Sequence, residues 1–182
     1  MPEERRRRMN TAKPLILSLL GWSNSGKTTF VESAIAECAR RGITTAAFKK
    51  SHNAATLPED SKDSSRFYKA KADPSIYLSG GDMIILKAAP SRIDKDAIAT
   101  LCPDASIVFC EGLDVEGSLR VLAAGDESDE SALKRTLADI DILIARNVAM
   151  LNLAKERNIV HFQLNDVRGF VDYLLKLEES FD

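Results

Sequence analysis

Residues 15–42 read LILSLLGWSNSGKTTFVESAIAECARRG, and this stretch decides the fold. It opens with six residues, Leu15–Leu20, that form an apolar run as long as a buried strand. From Lys27 to Arg41 the apolar residues follow helical spacing, and Gly42 is suited to cap the helix at its C-terminus. The stretch therefore predicts a strand, a glycine-containing turn and a helix.

The turn between this strand and helix matches the phosphate-binding pattern G-x-x-x-x-G-K-[ST] without exception, as Gly21-Trp22-Ser23-Asn24-Ser25-Gly26-Lys27-Thr28. Glycines at both ends allow backbone angles that bring successive N–H groups around a phosphate. The following helix adds the positive end of its dipole. We expect the loop to bind the phosphates of a nucleotide through Gly21, Ser23, Asn24, Ser25 and Gly26.

Three side chains at the start of the helix complete the predicted phosphate site. Lys27 places a point charge on the β- and γ-phosphates. The hydroxyl of Thr28 is suited to coordinate Mg²⁺, and Thr29 can donate to the α-phosphate. The motif predicts nucleotide binding together with Mg²⁺.

Beyond this motif, predicted strands alternate with predicted helices. We expect further strands at residues 43–48, 75–79, 83–86, 106–110, 118–123, 140–145 and 159–163, and helices at residues 61–72, 93–101, 132–138, 148–157 and 167–177. This alternation predicts an α/β protein with the P-loop NTPase fold, a mostly parallel central sheet flanked by helices. The 75–86 pair, joined by Gly80-Gly81-Asp82, predicts a hairpin and an antiparallel edge. We expect a flexible basic tail over residues 1–13 and a single nucleotide-binding domain over residues 14–182.

Composition excludes several classes of protein. The chain has 182 residues, 45% of them hydrophobic, which is enough for a substantial core and excludes a mostly disordered chain. A net charge of −2 argues against a dedicated nucleic-acid binder. No apolar run approaches the roughly 18 residues of a membrane span, and no secretory signal is recognisable. Three cysteines without CxxC spacing argue against a zinc site, so we expect a cytoplasmic protein.

Two acids are candidates to support a metal ion or an attacking water. Glu111 directly follows a buried strand, and the carboxyl ends of parallel strands are where ligands bind. Its alternative role is structural, as an acid in the turn before Gly112. Asp63 lies near a predicted helix start, where the helix dipole alone would also favour an acid. Lys49 follows the second strand and suits an anionic ligand, although a solubilising loop would use lysines equally well.

The identity of the base stays open. No N-K-x-D segment follows a strand, so a conventional switch GTPase is disfavoured. Asn147 stands where a base-recognition loop could lie, but its neighbours do not form that signature.

These motifs together resemble those of the molybdopterin-guanine dinucleotide biosynthesis adaptor (MobB) family. The resemblance rests on four segments: GWSNSGKTTF at residues 21–30, Lys49 with Lys62-Asp63-Ser64 thirteen residues later, IVFCEGL at residues 107–113, and the closing VHFQLNDVRGFVDYLL. It implies a dimeric, Mg²⁺-dependent GTP-binding protein with weak GTP hydrolysis. Such a protein assists a partner guanylyltransferase in attaching GMP to molybdopterin. The sequence contains no heptads or apolar stripe that would support a dimer independently.

The resemblance also assigns roles to residues of this chain. It implies that Gly26, Lys27 and Thr28 hold phosphates and Mg²⁺, that Asp63 and Glu111 support the metal or the attacking water, and that Lys49 faces the anionic ligand. Two other functions remain as alternatives. One is an ATP-dependent small-molecule kinase that binds an anionic metabolite through Lys49, Lys50 and Arg120. The other is an interaction module whose surface changes with the bound nucleotide.

Overall fold

The computed structural model describes residues 13–51, 62–125 and 139–180. In chain order the elements are β1 (Leu15–Leu20), α1 (Lys27–Arg40), β2 (Thr45–Lys49), α2 (Lys62–Lys69), β3 (Ser75–Ser79), β4 (Asp82–Leu86), α3 (Lys95–Leu101), β5 (Ile107–Glu111), β6 (Leu119–Ala124), β7 (Ile142–Ala145), α4 (Val148–Glu156), β8 (Val160–Gln163) and α5 (Val167–Ser180). The predicted helix at residues 132–138, and all of the predicted tail except Lys13, lie outside the described residues.

The chain divides into two compact units. One combines residues 1–50 with residues 94–182, and the other comprises residues 51–93. The assignment of residues 14–182 to a single nucleotide-binding domain stays a prediction.

A six-stranded parallel sheet forms the centre of the first unit, in the order β2-β5-β1-β6-β7-β8. Lys49 on β2, Glu111 on β5 and Leu19 on β1 lie in register across three neighbouring strands. Parallel strands end at the same edge of a sheet, so Lys49 and Glu111 lie at the edge where β1 enters the glycine-containing turn. The parallel α/β architecture predicted from the sequence is confirmed.

Helices cover both faces of this sheet. On one face, Phe30 of α1 and Phe170 of α5 are buried against the side chains of Leu17 and Phe109. On the other face, Met150 and its neighbours on α4 pack on β6 and β7. Strands buried on both faces need continuous apolar runs, which explains why the strands of this sheet have few charged residues.

Most element boundaries differ by one to three residues from those predicted, and local hydrogen bonds explain two of these differences. Strand β2 starts at Thr45 rather than at residue 43, because the amide of Ile43 donates to Cys38 O (3.0 Å) and so closes the C-terminus of α1. Helix α3 starts at Lys95, because the Asp94 carboxylate accepts from the amide of Ala97 (2.9 Å) as an N-cap.

The second unit contains α2 and the β3–β4 hairpin. The hairpin is confirmed as an antiparallel pair, but it forms a two-stranded sheet of its own, so the predicted antiparallel edge of the central sheet is wrong. The Ser75 hydroxyl donates to the carbonyl of Ser64 (2.8 Å) and ties β3 to α2. Four aliphatic side chains on the hairpin are half exposed or more: Ile76, Leu78, Met83 and Ile85. None of the helices in the described part of the chain is long and apolar enough to cross a membrane.

Candidate nucleotide-binding site

The turn after β1 has a backbone that only glycine fits at its first position. Gly21 has φ +134°, and a Cβ there would lie 2.3 Å from the carbonyl oxygen of Ala123 on the neighbouring strand β6. Gly26, at φ +87°, precedes the first residue of α1. Asn24 also adopts a positive φ, of 64°. The loop therefore has the glycine-dependent geometry that the motif predicted, at the N-terminus of a 14-residue helix.

Lys27 lies across this loop. Its ammonium group donates to the carbonyl of Gly21 (2.9 Å) and to the hydroxyl of Ser25 (3.2 Å), and it also contacts the carbonyl of Trp22. These contacts hold a positive charge directly above the turn. A phosphate placed against the loop amides would meet this charge.

Thr28, Glu111 and Lys49 meet beside the loop, as the argument from the carboxyl edge of the sheet predicted. The Thr28 hydroxyl lies 2.9 Å from Oε1 and 3.0 Å from Oε2 of Glu111, and donates to this carboxylate. The Lys49 ammonium donates to Glu111 Oε1 (2.5 Å) and to the Thr28 hydroxyl (3.3 Å). The Glu111 side chain is only 13% exposed, whereas that of Lys49 is 60% exposed.

The Thr28–Glu111 pair has the chemistry of a magnesium site. A hydroxyl and a carboxylate are the oxygen ligands that Mg²⁺ takes in proteins, usually together with substrate phosphates. A cation already lies against both groups, the ammonium of Lys49. The oxygens of Thr28 and Glu111 therefore fit the Mg²⁺ that the P-loop motif implies.

Asp63, the second predicted acid, belongs to the second unit. It lies in the first turn of α2 with a side chain that is 78% exposed, and it pairs with Arg66 at 3.3 Å. The role that the resemblance implies for Asp63 stays a prediction. His52, of the loop that follows Lys49, lies outside the described residues.

A pocket of about 400 Å³ opens beside the phosphate loop, and it is lined by Gly26, Thr29, Phe30, Ser33, Arg146, Gln163, Leu164 and Asn165. Its volume is in the range of small-molecule sites. The N-terminal part of α1 forms one wall, and the carboxyl end of β8 with the segments after β7 and β8 supplies the other residues. A nucleotide with its phosphates on the loop could place its nucleoside in this pocket.

The residues at the far wall of this pocket were not predicted from the sequence. The candidate for base recognition was Asn147, whereas its neighbour Arg146 lines the pocket. The Asn147 side chain accepts from the amide of Ala149 (2.8 Å) and caps α4. Gln163 ends the last strand, and Leu164 and Asn165 follow it without a recognisable motif. The one signal available was their place after the carboxyl end of a parallel strand.

Arg120, which the kinase alternative assigned to an anionic metabolite, makes structural contacts, and Cys110 of β5 is a buried thiol. The Arg120 guanidinium donates to Asp114 (3.1 Å) and to the carbonyl of Asp139 (2.7 Å), so its hydrogen bonds go to this chain's own groups. Burial, with a smaller effect of Cys102, raises the pKa of the Cys110 thiol to about 11. Cys110 is therefore a neutral thiol at pH 7 and a poor nucleophile.

The glycine-dependent loop, the helix that follows it and the acid at the end of the adjacent parallel strand define a protein of the P-loop NTPase class. Comparison with known families refines this class. The family described as Molybdopterin guanine dinucleotide synthesis protein B (MobB) matches residues 16–145, well over half of the chain. The chain belongs to this family, which confirms the resemblance seen in the motifs.

Individual relatives agree with this assignment. The molybdopterin-guanine dinucleotide biosynthesis adapter protein of Haemophilus influenzae is 26% identical over 171 residues, which cover 91% of this chain and 90% of that protein. A crystal structure of molybdopterin-guanine biosynthesis protein B has the same fold, with a TM-score of 0.65, 21% identity, and coverage of 91% of this chain and 99% of that chain. The MobB homologue from Bacillus stearothermophilus has a TM-score of 0.60 at 20% identity, covering 91% and 98% of the two chains.

Proposed function

We propose that this chain is a GTP-binding accessory protein that assists the attachment of a guanine nucleotide to molybdopterin. The observation that carries the proposal is the Thr28–Glu111 contact beside a loop whose backbone requires glycine. Family membership supports the biosynthetic role. The attachment itself belongs to a partner guanylyltransferase, and the chain is at most a weak GTPase. We propose a cytoplasmic location, where its three free thiols stay reduced.

In this proposal the phosphates bind to the loop and to the first turn of α1. The groups that bind them are the backbone amides of Gly21, Ser23, Asn24, Ser25 and Gly26 together with the side chains of Lys27 and Thr29. The positive end of the helix dipole and the Lys27 ammonium stabilise the negative charge of the phosphates. Lys49, at the adjacent strand end, adds a second positive charge toward them.

Mg²⁺, when bound, neutralises charge on the phosphate oxygens that it contacts. The Thr28 hydroxyl and the Glu111 carboxylate would hold it. Glu111 is mostly shielded from solvent, at 13% exposure, and its second role would be to orient an attacking water and accept its proton.

We assign the base and ribose to the pocket beside the loop. Arg146, Gln163 and Asn165 offer polar side chains at its far wall, and Phe30 offers an apolar surface. Guanine presents a carbonyl acceptor at O6 that adenine lacks, and a donor such as Arg146 suits it. This chemistry supports GTP rather than ATP.

We propose that the protein acts as a homodimer through the exposed face of the β3–β4 hairpin. Ile76 lies opposite Ile85, and Leu78 lies opposite Met83, so the four side chains share one face of this antiparallel pair. An isolated two-stranded sheet is marginally stable in water, so covering its apolar face would be favourable. All four residues are uncharged and apolar, which suits a second copy of the same face better than a charged partner.

Titration calorimetry with GTP and ATP in the presence of Mg²⁺ tests the nucleotide assignment. We expect GTP to bind more tightly than ATP. Lys27→Ala should lose nucleotide affinity by at least about tenfold while the fold is kept, because the lysine supplies charge rather than packing. Lys155→Ala, which removes an exposed lysine from α4, is the matched control and should bind normally. Equal affinity of the wild type and Lys27→Ala would contradict the site, and a preference for ATP would contradict the proposed role.

A separate variant tests the role of Glu111. Glu111→Gln should retain GTP binding and slow single-turnover hydrolysis by about a hundredfold, because a neutral amide cannot accept a proton from water. Asp114→Asn is the matched control, since Asp114 pairs with Arg120. Unchanged hydrolysis in Glu111→Gln would leave Glu111 with a structural role only.

A further inference from the structure

The most unusual contact in the site is the one that Lys49 makes. Its ammonium lies 2.5 Å from Glu111 Oε1 and 3.3 Å from the Thr28 hydroxyl. Those two oxygens are also the groups that fit a divalent cation. The ammonium therefore lies where the ion would have to contact the protein.

The Lys49 ammonium and a divalent cation cannot both bind the same oxygen atoms of the Glu111 carboxylate at the same time. Two positive charges held against the same carboxylate repel each other, and the repulsion is weakly screened where the carboxylate is shielded from solvent. Glu111 is the acid that the structure brings to the Thr28 hydroxyl, and one carboxylate does not neutralise both cations. Binding of one cation must weaken binding of the other.

The two partners differ in their freedom to move. Glu111 is largely shielded from solvent and lies on β5, between β1 and β2 in the sheet. Lys49 ends β2, which is an edge strand, and 60% of its side chain is exposed. A lysine side chain has four rotatable carbons, so its ammonium can leave the carboxylate without any movement of the backbone. The mobile cation is therefore Lys49, and the fixed anion is Glu111.

We propose that Lys49 is an internal counter-cation for Glu111 that competes with the divalent metal. With the ammonium in place, Glu111 is neutralised and does not repel an incoming polyphosphate. Entry of the metal displaces the ammonium, and the freed charge is then available to the phosphates. The inference rests on the proposed function, because it concerns the metal of that same site, and it adds a residue that sets how much metal the site requires.

Binding of Mn²⁺ to the full-length protein without nucleotide tests the competition directly, with the electron paramagnetic resonance signal of free Mn²⁺ as the readout. Lys49→Met keeps the length of the side chain and removes its charge, and it should tighten Mn²⁺ binding about tenfold. Lys50→Met is the matched control, because it removes the same charge from the next residue and should change the affinity less than twofold. The double variant Lys49→Met/Glu111→Gln should lose the gain, because the gain depends on the carboxylate.

Each other outcome decides against the proposal. If Lys49→Met binds Mn²⁺ no more tightly than the wild type, including the case in which neither binds, Lys49 does not compete with the metal. An equal gain in Lys50→Met would attribute the effect to net charge. If the double variant still binds Mn²⁺ more tightly than the wild type, the metal does not bind to the Glu111 carboxylate.

The Mg²⁺ dependence of GDP affinity, measured by calorimetry, separates this inference from the proposed function. The Mg²⁺ concentration that gives half of the full affinity should fall about tenfold in Lys49→Met. A wild type that binds no guanine nucleotide would contradict the proposed function, and the Mn²⁺ measurement would still decide the role of Lys49.

Discussion

The six-stranded sheet and the β3–β4 hairpin contain similar apolar residues, but these residues are buried in the sheet and exposed on one face of the hairpin. In the sheet, helices cover both faces, and Phe109 of β5 is fully buried. In the hairpin, Leu78 is 72% exposed, and Met83 opposite it is 59% exposed. The apolar content of a strand therefore does not say whether its own chain covers it. The covered region supports the candidate nucleotide site, and the uncovered region is the surface that we propose for association.

Removal of Phe170 should produce the largest loss of stability. Its ring packs edge-to-face against Phe30, with centroids 5.0 Å apart, and against Phe162 at 5.6 Å. Phe170→Ala should lower the free energy of unfolding by about 3–5 kcal/mol, because it leaves a cavity between α1, α5 and the sheet. Urea denaturation monitored by circular dichroism measures this change.

Leu78→Ala is the matched control in the hairpin. An exposed side chain contributes little to folding, so this variant should stay within about 0.5 kcal/mol of the wild type when measured at low protein concentration. Equal losses in Phe170→Ala and Leu78→Ala would contradict the contrast between the two regions.

The predictability of these two regions from sequence also differed. The alternation of strands and helices was clear because both faces of the sheet are buried, which leaves continuous apolar runs. Strand β6 gave a weaker signal, since Ala123 and Ala124 have low strand propensity. In the structure, the phosphate loop passes close to this strand. A Cβ on Gly21 would lie 2.3 Å from the carbonyl oxygen of Ala123. The exposed face of the hairpin was not predicted, since the pattern does not say which face is covered.

The phosphate loop and the pocket beside it, the two parts of the candidate nucleotide site, also differ in how well the sequence predicts them. The phosphate loop was recognisable because its backbone angles require glycine at fixed positions, which leaves a motif in the sequence. The pocket beside it was not, because Arg146 and Asn165 come from two separate segments and no backbone constraint fixes their spacing. For Lys49 and Glu111, the sequence predicted only that both lie at the carboxyl edge of the sheet. The direct bond follows from the register of β2 against β5, which a sequence does not give.

A charge on the hairpin face should weaken association of the proposed dimer. The expected change in the free energy of association is smaller than the change in the free energy of unfolding caused by Phe170→Ala. Leu78→Asp should raise the dissociation constant of the dimer about thirtyfold, which corresponds to about 2 kcal/mol, because it buries a charge in the proposed interface. Sedimentation velocity across a range of concentrations measures this. Leu101→Asp, at a leucine on α3 that is 51% exposed, is the matched control. A wild type that stays monomeric, or equal effects of the two variants, would contradict the proposed interface.

The smallest expected effect is a dependence on pH within the first unit. Glu37 of α1 accepts hydrogen bonds from Arg40 (2.7 and 2.9 Å) and from Arg41 (2.8 Å), and these arginines lower the pKa of its carboxyl from 4.5 to about 2. Arg41 also bonds Asp172 and so links α1 to α5. A carboxyl with a lowered pKa in the folded state stabilises the fold fully above its unfolded pKa and loses that contribution as the pH falls through its folded pKa.

Glu37→Gln should therefore flatten the pH dependence of the free energy of unfolding between about pH 4.5 and pH 2, where the wild type loses this contribution. Urea denaturation at several pH values across this range measures the slope. Glu32→Gln, at an exposed glutamate on the same helix, should keep the slope of the wild type. The same slope in Glu37→Gln and the wild type would mean that the Glu37 pairs form equally in the unfolded chain. The Arg41–Asp172 pair and the buried side chains of the two helices would then link α1 to α5 without a contribution from Glu37.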